Sequence, residues 1–471
     1  MRVSNEVRGG ATADRGLRRI GLGAALAAAV ALVLADSSVV VLALPEIYRR
    51  FDVSVGAVVW VLLAFNLVLA AAAVPAAAAA RRSGPARALV AGLVAFAAGC
   101  LGCALSTALA PLVAARCLQA LGGAAAVTAA LELLPAAVGS ERRAAAVWAT
   151  AGAIGAALGP ATGGLLTELV SWQSIFLVQI PVAILVAGLA APIARREAEP
   201  VARANEVRAS GRPHLAANLA LALVSAALAA ALFLIVLLLI EGWRQSPIVA
   251  AIAVSVMPAA AFAARPLARS VADARARAGA GAILVAGGLA GLGLLPRALI
   301  VATIPSQVLV GVGLALVLSA LTQTALAGRA PQAIHGGWTI AARHAGVVLG
   351  LVVLTPIFTS DLVEQRDAAE QAGTAALLDA RLPATFKIDL AGRLHDQLAA
   401  EDGKVPVVGP AFQPLPADRS ERRGALALEA TLQDQLDRAA THAFSASFLI
   451  AAAFALAALA PIALSRGRVG L

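Results

Sequence analysis

Four ionisable side chains stand inside long apolar stretches of the 471-residue chain: Asp36, Arg116, Glu132 and Arg343. A charge inside a lipid-spanning segment costs about 2.5–3.5 kcal/mol even on a lenient insertion scale, so it is kept against a partner or a water-filled cavity. A carboxylate in such a place feels two opposed forces: desolvation holds the proton on, and a nearby guanidinium drives it off. That balance is what reversible proton binding needs, so Asp36 and Arg116 are the candidates for proton coupling. Counted at 1.5 Å per residue from the ends of their runs, both fall about 10–12 Å below the same surface, which allows an ion pair or a shared aqueous cavity. The plainer alternative is an ion pair that only holds two helices together. Were a solute to compete with the proton for Asp36, a cationic solute would be favoured. Glu132 lies near the other surface, close along the chain to Arg142 and Arg143, and reads as a gating or structural salt bridge. Glu168 reads as a solvated carboxylate. His344, next to Arg343, reads as a packing residue or a proton carrier.

The elements that must hold these groups are helices in lipid. Hydrophobic residues make up 60% of the chain and charged ones 14%, with a mean hydropathy of +0.86, whereas soluble chains carry roughly 25% charged residues. About 20 apolar residues cross the bilayer core, and twelve runs qualify: 20–44, 56–79, 87–105, 109–137, 144–167, 174–194, 214–240, 247–264, 278–296, 299–327, 335–357 and 443–464. The net charge of +10 does not imply nucleic acid, because the arginines sit in short connectors without interleaved aromatics. With a cytoplasmic N-terminus, 22 arginines fall on the inner side, and the short outer loops carry only Arg49, Arg50, Arg244 and Arg297. The positive-inside bias therefore places both termini in the cytoplasm of a multi-pass protein of the cell membrane. The first run is too long for a cleaved signal peptide. Cys100, Cys103 and Cys117 lie in apolar stretches and read as packing residues; no metal site, cofactor site or enzymatic residue set is expected.

The expected organisation is a six-helix bundle over 1–194, a polar cytoplasmic linker over 195–213 and a second six-helix bundle over 214–471. Leu89–Gly92 and Leu284–Gly287 share the sequence Leu-Val-Ala-Gly, each after an Arg-rich loop, as a parallel repeat would give. Residues 358–442 form an outer loop with nine basic and fourteen acidic residues. Periodic leucines over 361–382 and 423–440 predict a helical, hairpin-like cap continuing the last two spans, with Val405–Pro416 between; the alternative is a mobile loop. The run Gly155-Ala-Ala-Leu-Gly159-Pro160-Ala-Thr-Gly163-Gly164 places small residues four apart around a proline, so it predicts close helix approach in a span that rocks.

These residues resemble the major facilitator superfamily, in its drug:proton antiporter branch. Gly155–Gly164 is similar to the antiporter motif of the fifth span, and Ser171–Phe176 to the segment that follows it. Ala35–Pro45 resembles the first-span motif of the subfamily that usually has fourteen spans, and Arg116–Gly122 its fourth-span motif. Gly336–Gly350, with Thr339, Arg343, Gly346 and Gly350, is similar to the penultimate span. The resemblance implies an all-α fold of two six-helix bundles around a central cavity, a functional acid at Asp36 and a proton-transfer role for Arg116. In the loop between spans two and three, Arg82, Gly84 and Arg87 match the pattern, but Ala77 and Arg81 replace a Gly and an Asp. The gate relay is then weakened or moved to Asp273, in the equivalent loop of the second half. Arg343 and His344 are the second-half candidates. The implied function is proton-driven export of amphipathic small molecules or drugs, cationic ones among them, by a monomer; an exporter of a lipid or secondary metabolite and a non-transporting receptor or scaffold are the competing readings.

Overall fold

The computed structural model describes residues 3–196, 212–400 and 408–465. Most of the expected linker thus lies outside the described residues, as do 401–407. Among the described residues, twelve helices are long and apolar enough to cross a membrane: Ile20–Phe51, Val55–Ser83, Pro85–Leu105, Leu109–Val138, Glu141–Leu169, Ser174–Arg195, Leu215–Gly242, Pro247–Ser270, Ala274–Gly293, Ile300–Leu326, Gln332–Gln365 and Arg419–Leu464. We call them spans one to twelve; the fold is all-helical, as the apolar periodicity required. Leu185, Ile252 and Val301 are about two-thirds exposed, as side chains facing lipid must be.

Span one departs from expectation by running on to Phe51. Pro45 has no N–H to give the carbonyl four residues back, so the helix tightens into a 3-10 turn over Val40–Ala43 before resuming as Leu44–Phe51. It ends on Asp52, in the left-handed region at φ 49°. Asp36 therefore lies deeper than a count from residue 44 suggests. Span nine is also shifted, starting at Ala274 behind an Asp273 cap rather than at 278.

Two pairs of contacts reveal an internal repeat. A Cβ added to Gly92 would stand 2.8 Å from the Gly122 carbonyl oxygen, and one added to Gly122 would stand 2.5 Å from that of Gly92. Spans nine and ten repeat this reciprocity through Gly281 and Gly313, at 2.6 and 2.5 Å. Gly155 and Gly159 of span five meet the carbonyls of Ala31 and Ala35 in span one; Gly346 and Gly350 of span eleven meet those of Ala222 and Ala226 in span seven. These matches set the two halves about 190 residues apart. The Leu89–Gly92 and Leu284–Gly287 echo is out of this register, so it is a coincidence of common residues and not the trace of the repeat. The halves meet where span two lies along span eleven and where span five meets span eight.

Both flanks of the outer segment are helical, as predicted: span eleven continues unbroken to Asp379, and the helix Arg419–Ala443 forms the first part of span twelve. A further helix, Ala384–Ala400, lies between them; its weak leucine pattern left it unread in the sequence. Leu377, Leu390, Phe412, Leu428 and Leu432 close a separate small core, so this cap is folded. Phe412 is fully buried there. Phe412→Ala is expected to cost the cap about 3–5 kcal/mol, read as faster hydrogen exchange over 384–436 with the spans unchanged.

Candidate functional site

Asp36 and Arg116 form a fully buried ion pair, Arg116 Nη1 donating to Asp36 Oδ2. Asp36 Oδ1 accepts two amide hydrogens, from Gln119 Nε2 at 2.8 Å and Gln179 Nε2 at 3.0 Å. Spans four and six thus converge on one carboxylate of span one. Arg116 also donates to the Gln119 side-chain oxygen at 2.6 Å and to the Val61 carbonyl at 3.1 Å. Its guanidinium lies 4.1 Å from the centroid of the Phe65 ring. Gln119 is steadied in turn by the thiols of Cys100, 3.1 Å away, and Cys103, 3.8 Å away. A buried ion pair persists when further hydrogen bonds satisfy the remaining valences, and this one is nearly saturated; Arg116 Nη2 is left without a partner.

The second half does not repeat this charge. In its register Asp36 corresponds to Ala227 and Arg116 to Gln307, a buried amide bonded to Thr303 at 2.9 Å. The site is connected across the halves all the same. Asn66 of span two accepts from His344 Nδ1 at 2.6 Å and from Ser37, the neighbour of Asp36, at 3.5 Å. His344 is therefore a contact between halves, with its Nδ1 carrying the hydrogen because the amide oxygen can only accept.

The glycine motif seats span five on span one. Added Cβ atoms at Gly155 and Gly163 would lie 2.0 and 2.3 Å from the Ala31 and Val39 carbonyl oxygens, and at Gly159 1.9 Å from Ser38 Oγ. Pro160 cannot donate to the Ala156 carbonyl, and Ser38 fills the vacancy with a hydroxyl 3.1 Å away. Gly164 faces elsewhere: its Cβ would meet Ala251 and the Pro247 carbonyl of span eight, in the other half.

At the cap side, Glu241 of span seven takes Arg49 at 3.0 Å and the Tyr48 hydroxyl from span one. Glu168 is exposed but accepts the Ile248 N–H at 2.6 Å, capping span eight from span five, so the expectation of a merely solvated carboxylate is corrected. At the terminus side, Glu132 faces Arg81 and the Ala333 N–H at the start of span eleven. Arg142 is exposed and is not the partner the chain order suggested. Arg81, the residue in place of the usual acid, supplies the opposite charge to Glu132. Arg82 and Arg87 are exposed, and Gly84 turns at φ 100° between spans two and three. Asp273 caps span nine through the Arg275 and Ala276 N–H groups. The buried cation beside it, Arg277, was not singled out in the sequence; it holds the Ala268 and Val271 carbonyls and the Gln323 amide oxygen, each at 3.0 Å.

The sequence profile of the Major Facilitator Superfamily matches residues 26–355, which hold both partners of the buried pair and both glycine seams. The chain belongs to that superfamily. The multidrug resistance protein Stp of Mycobacterium tuberculosis is 35% identical over 158 residues, which is 33% of this chain and 29% of that protein. The methyl viologen resistance protein SmvA of Salmonella typhimurium is 34% identical over 166 residues, 35% of this chain and 34% of its own. The alignments thus span about a third of the curated relatives. A bacterial homolog of the human lysosomal transporter Spinster has the same fold, at 16% identity and a TM-score of 0.57, over 96% of this chain and 99% of that one. Within the superfamily fold Asp36 and Arg116 meet, as their equal depth allowed, and the span-five glycines approach span one closely, as their spacing predicts. Gln179, Asn66 and Ser38 carry no charge, so the cost of a charge in lipid does not mark them in the sequence.

Proposed function

We propose that this chain is a proton-coupled antiporter of the cell membrane that exports amphipathic small molecules, drugs among them. The observation that carries the reading is the single buried carboxylate among the described residues, Asp36 of span one, held by Arg116 and Gln119 of span four and Gln179 of span six. Protonation of Asp36 removes the charge on which all three grips depend, and deprotonation restores it. Span one can then shift against spans four and six. Because span one is seated on span five by Gly155, Gly159, Pro160 and Gly163, its movement carries span five, and with it the contacts of Gly164 and Glu168 on span eight. Arg82, Gly84, Arg87, Glu132, Arg142 and Asp273 belong to the opposite, cytoplasmic gate, and Arg343 and His344 are the second-half candidates deeper in the membrane.

The same reading assigns residues 1–194 and 214–471 to the two six-helix bundles, 195–213 to a cytoplasmic linker, and 358–442 to the extracytoplasmic side, in a monomer with both termini in the cytoplasm. The names of the relatives, resistance to drugs and to methyl viologen, favour export of foreign compounds. Expression in a susceptible host is expected to raise resistance to at least one amphipathic compound. Inverted vesicles should accumulate that compound when a proton gradient is imposed and stop when a protonophore collapses it. Gradient-independent distribution of every compound to which resistance rises would overturn the reading.

A further inference from the structure

Two interior arginines have evident anchors. Arg116 has its carboxylate, an amide oxygen, a carbonyl and a ring, and Arg277 has three oxygens. Arg343 is different. It is half-buried, and its guanidinium makes no hydrogen bond or ion pair among the described residues. It stands eleven residues into span eleven, which begins at Gln332; at 1.5 Å per residue this is about 16 Å deep, the middle of a hydrocarbon core about 30 Å thick.

Its place on the helix is set by its neighbours. Seven residues make nearly two turns, so Arg343 shares a face with Gly336 and Gly350. A Cβ at Gly336 would lie 2.4 Å from Leu131 of span four, and one at Gly350 2.3 Å from the Ala226 carbonyl of span seven. The next residue, His344, is bonded to Asn66 of span two. Arg343 therefore lies where spans two, four, seven and eleven converge, between the halves. The acids nearest it are engaged elsewhere: Asp36 is taken by Arg116, Glu132 lies at the terminus-side end with Arg81, Glu168 caps span eight, and Glu241 is engaged by Arg49. Asp361 and Glu364 are more than four helical turns further along span eleven.

We infer that Arg343 is the recognition group of the cargo site, and that the cargo is an amphipathic molecule bearing an oxyanion: a carboxylate, sulfonate or phosphate. This rests on the transport reading and specifies it. An unpaired guanidinium in a low-dielectric interior is an electrostatic vacancy that an anion fills, and its planar fork matches an oxyanion with two parallel hydrogen bonds. A cationic cargo is what the resemblance implies and what Asp36 would favour as a free anion. In the structure both Asp36 oxygens are engaged, and the rings of Phe65 and Phe176 face the Arg116 guanidinium, so that site has nothing left with which to hold a cation.

The test is a binding measurement on the full chain in lipid nanodiscs, without a gradient. The probes are 1-pyrenebutanoate and 1-pyrenebutylammonium, which differ only in head group, each corrected for its partition into empty nanodiscs. Wild type is expected to bind the carboxylate at least tenfold more tightly than the amine. Arg343→Gln should abolish that preference, and Arg343→Lys, which keeps the charge without the fork, should retain part of it. A folded R343Q protein with the wild-type preference overturns the inference. So does a wild-type protein that binds the amine as well as the carboxylate, or binds neither, and that arm holds even where R343Q fails to fold. Binding through Arg343 in a protein that moves nothing under any pH difference would instead sink the transport reading and leave this site standing.

Discussion

Asp36→Asn should reduce gradient-driven accumulation in inverted vesicles to the level of vesicles without the protein, while the protein still inserts and folds. Asparagine keeps the shape and one acceptor oxygen for the Gln119 and Gln179 amides, but it cannot bind a proton at any relevant pH. A ligand shifts a two-state equilibrium only through its differential affinity for the two states, so a carrier that binds no proton gains nothing from a proton gradient. Stability should separate the partners. Arg116→Ala leaves a buried carboxylate without its counter-ion, a change that costs about 3–5 kcal/mol. D36N leaves Arg116 its bonds to Gln119 and Val61. The order of thermal unfolding in detergent is expected to be wild type, then D36N, then R116A, with the double variant D36N/R116A above R116A because no bare charge remains. Wild-type accumulation in D36N would remove Asp36 from the mechanism, and equal stability of R116A and wild type would mean the pair is solvated.

The fold was legible because lipid imposes a length: a segment without water must be apolar for about 20 residues and helical throughout. Every expected span lies at its place, and the errors fall where that rule is silent. Span one passes residue 44 because Pro45 tightens the helix without ending it, and the charged residues beyond, Glu46, Arg49 and Arg50, are polar enough to suggest a loop. The cap helix Ala384–Ala400 is water-facing on most sides and has few apolar residues to mark its period. The site divides in the same way. Asp36 and Arg116 announce themselves by the cost of a charge in lipid. Gln179, 143 residues from Asp36 along the chain, is cheap enough to be overlooked, and only the folded bundle shows which carboxylate its amide serves. The carbonyl freed by Pro160 is a further case: proline leaves it without its helical donor, and only the packing of span five on span one names Ser38.

The glycine motif looks uniform in the sequence but has two addresses, and they predict opposite behaviour. Gly155 packs on the Ala31 carbonyl of span one, inside one half, whereas Gly164 packs on Ala251 and the Pro247 carbonyl of span eight, across the halves. In a helix interior Gly→Ala gains about 1 kcal/mol of intrinsic propensity, and overpacking against backbone costs about 1–3 kcal/mol. Gly188 of span six, with open space around it, should show only the gain. Gly155→Ala should destabilise the first half in every state of the cycle, lowering the unfolding temperature without changing the balance of states. Gly164→Ala strains only the state in which spans five and eight touch at the cap side, so it should shift the protein toward the state open on that side by roughly fivefold to more than a hundredfold, the factor that 1–3 kcal/mol represents. Arg49 and Glu241, 3.0 Å apart when that side is closed, provide the gauge: with Arg49→Cys and Glu241→Cys, a short bifunctional reagent joins the two only in the closed state. G164A should lower the cross-linking yield several-fold and G155A should leave it unchanged. An equal fall in both would show that the whole motif acts at one seam and that the division between packing and gating does not exist.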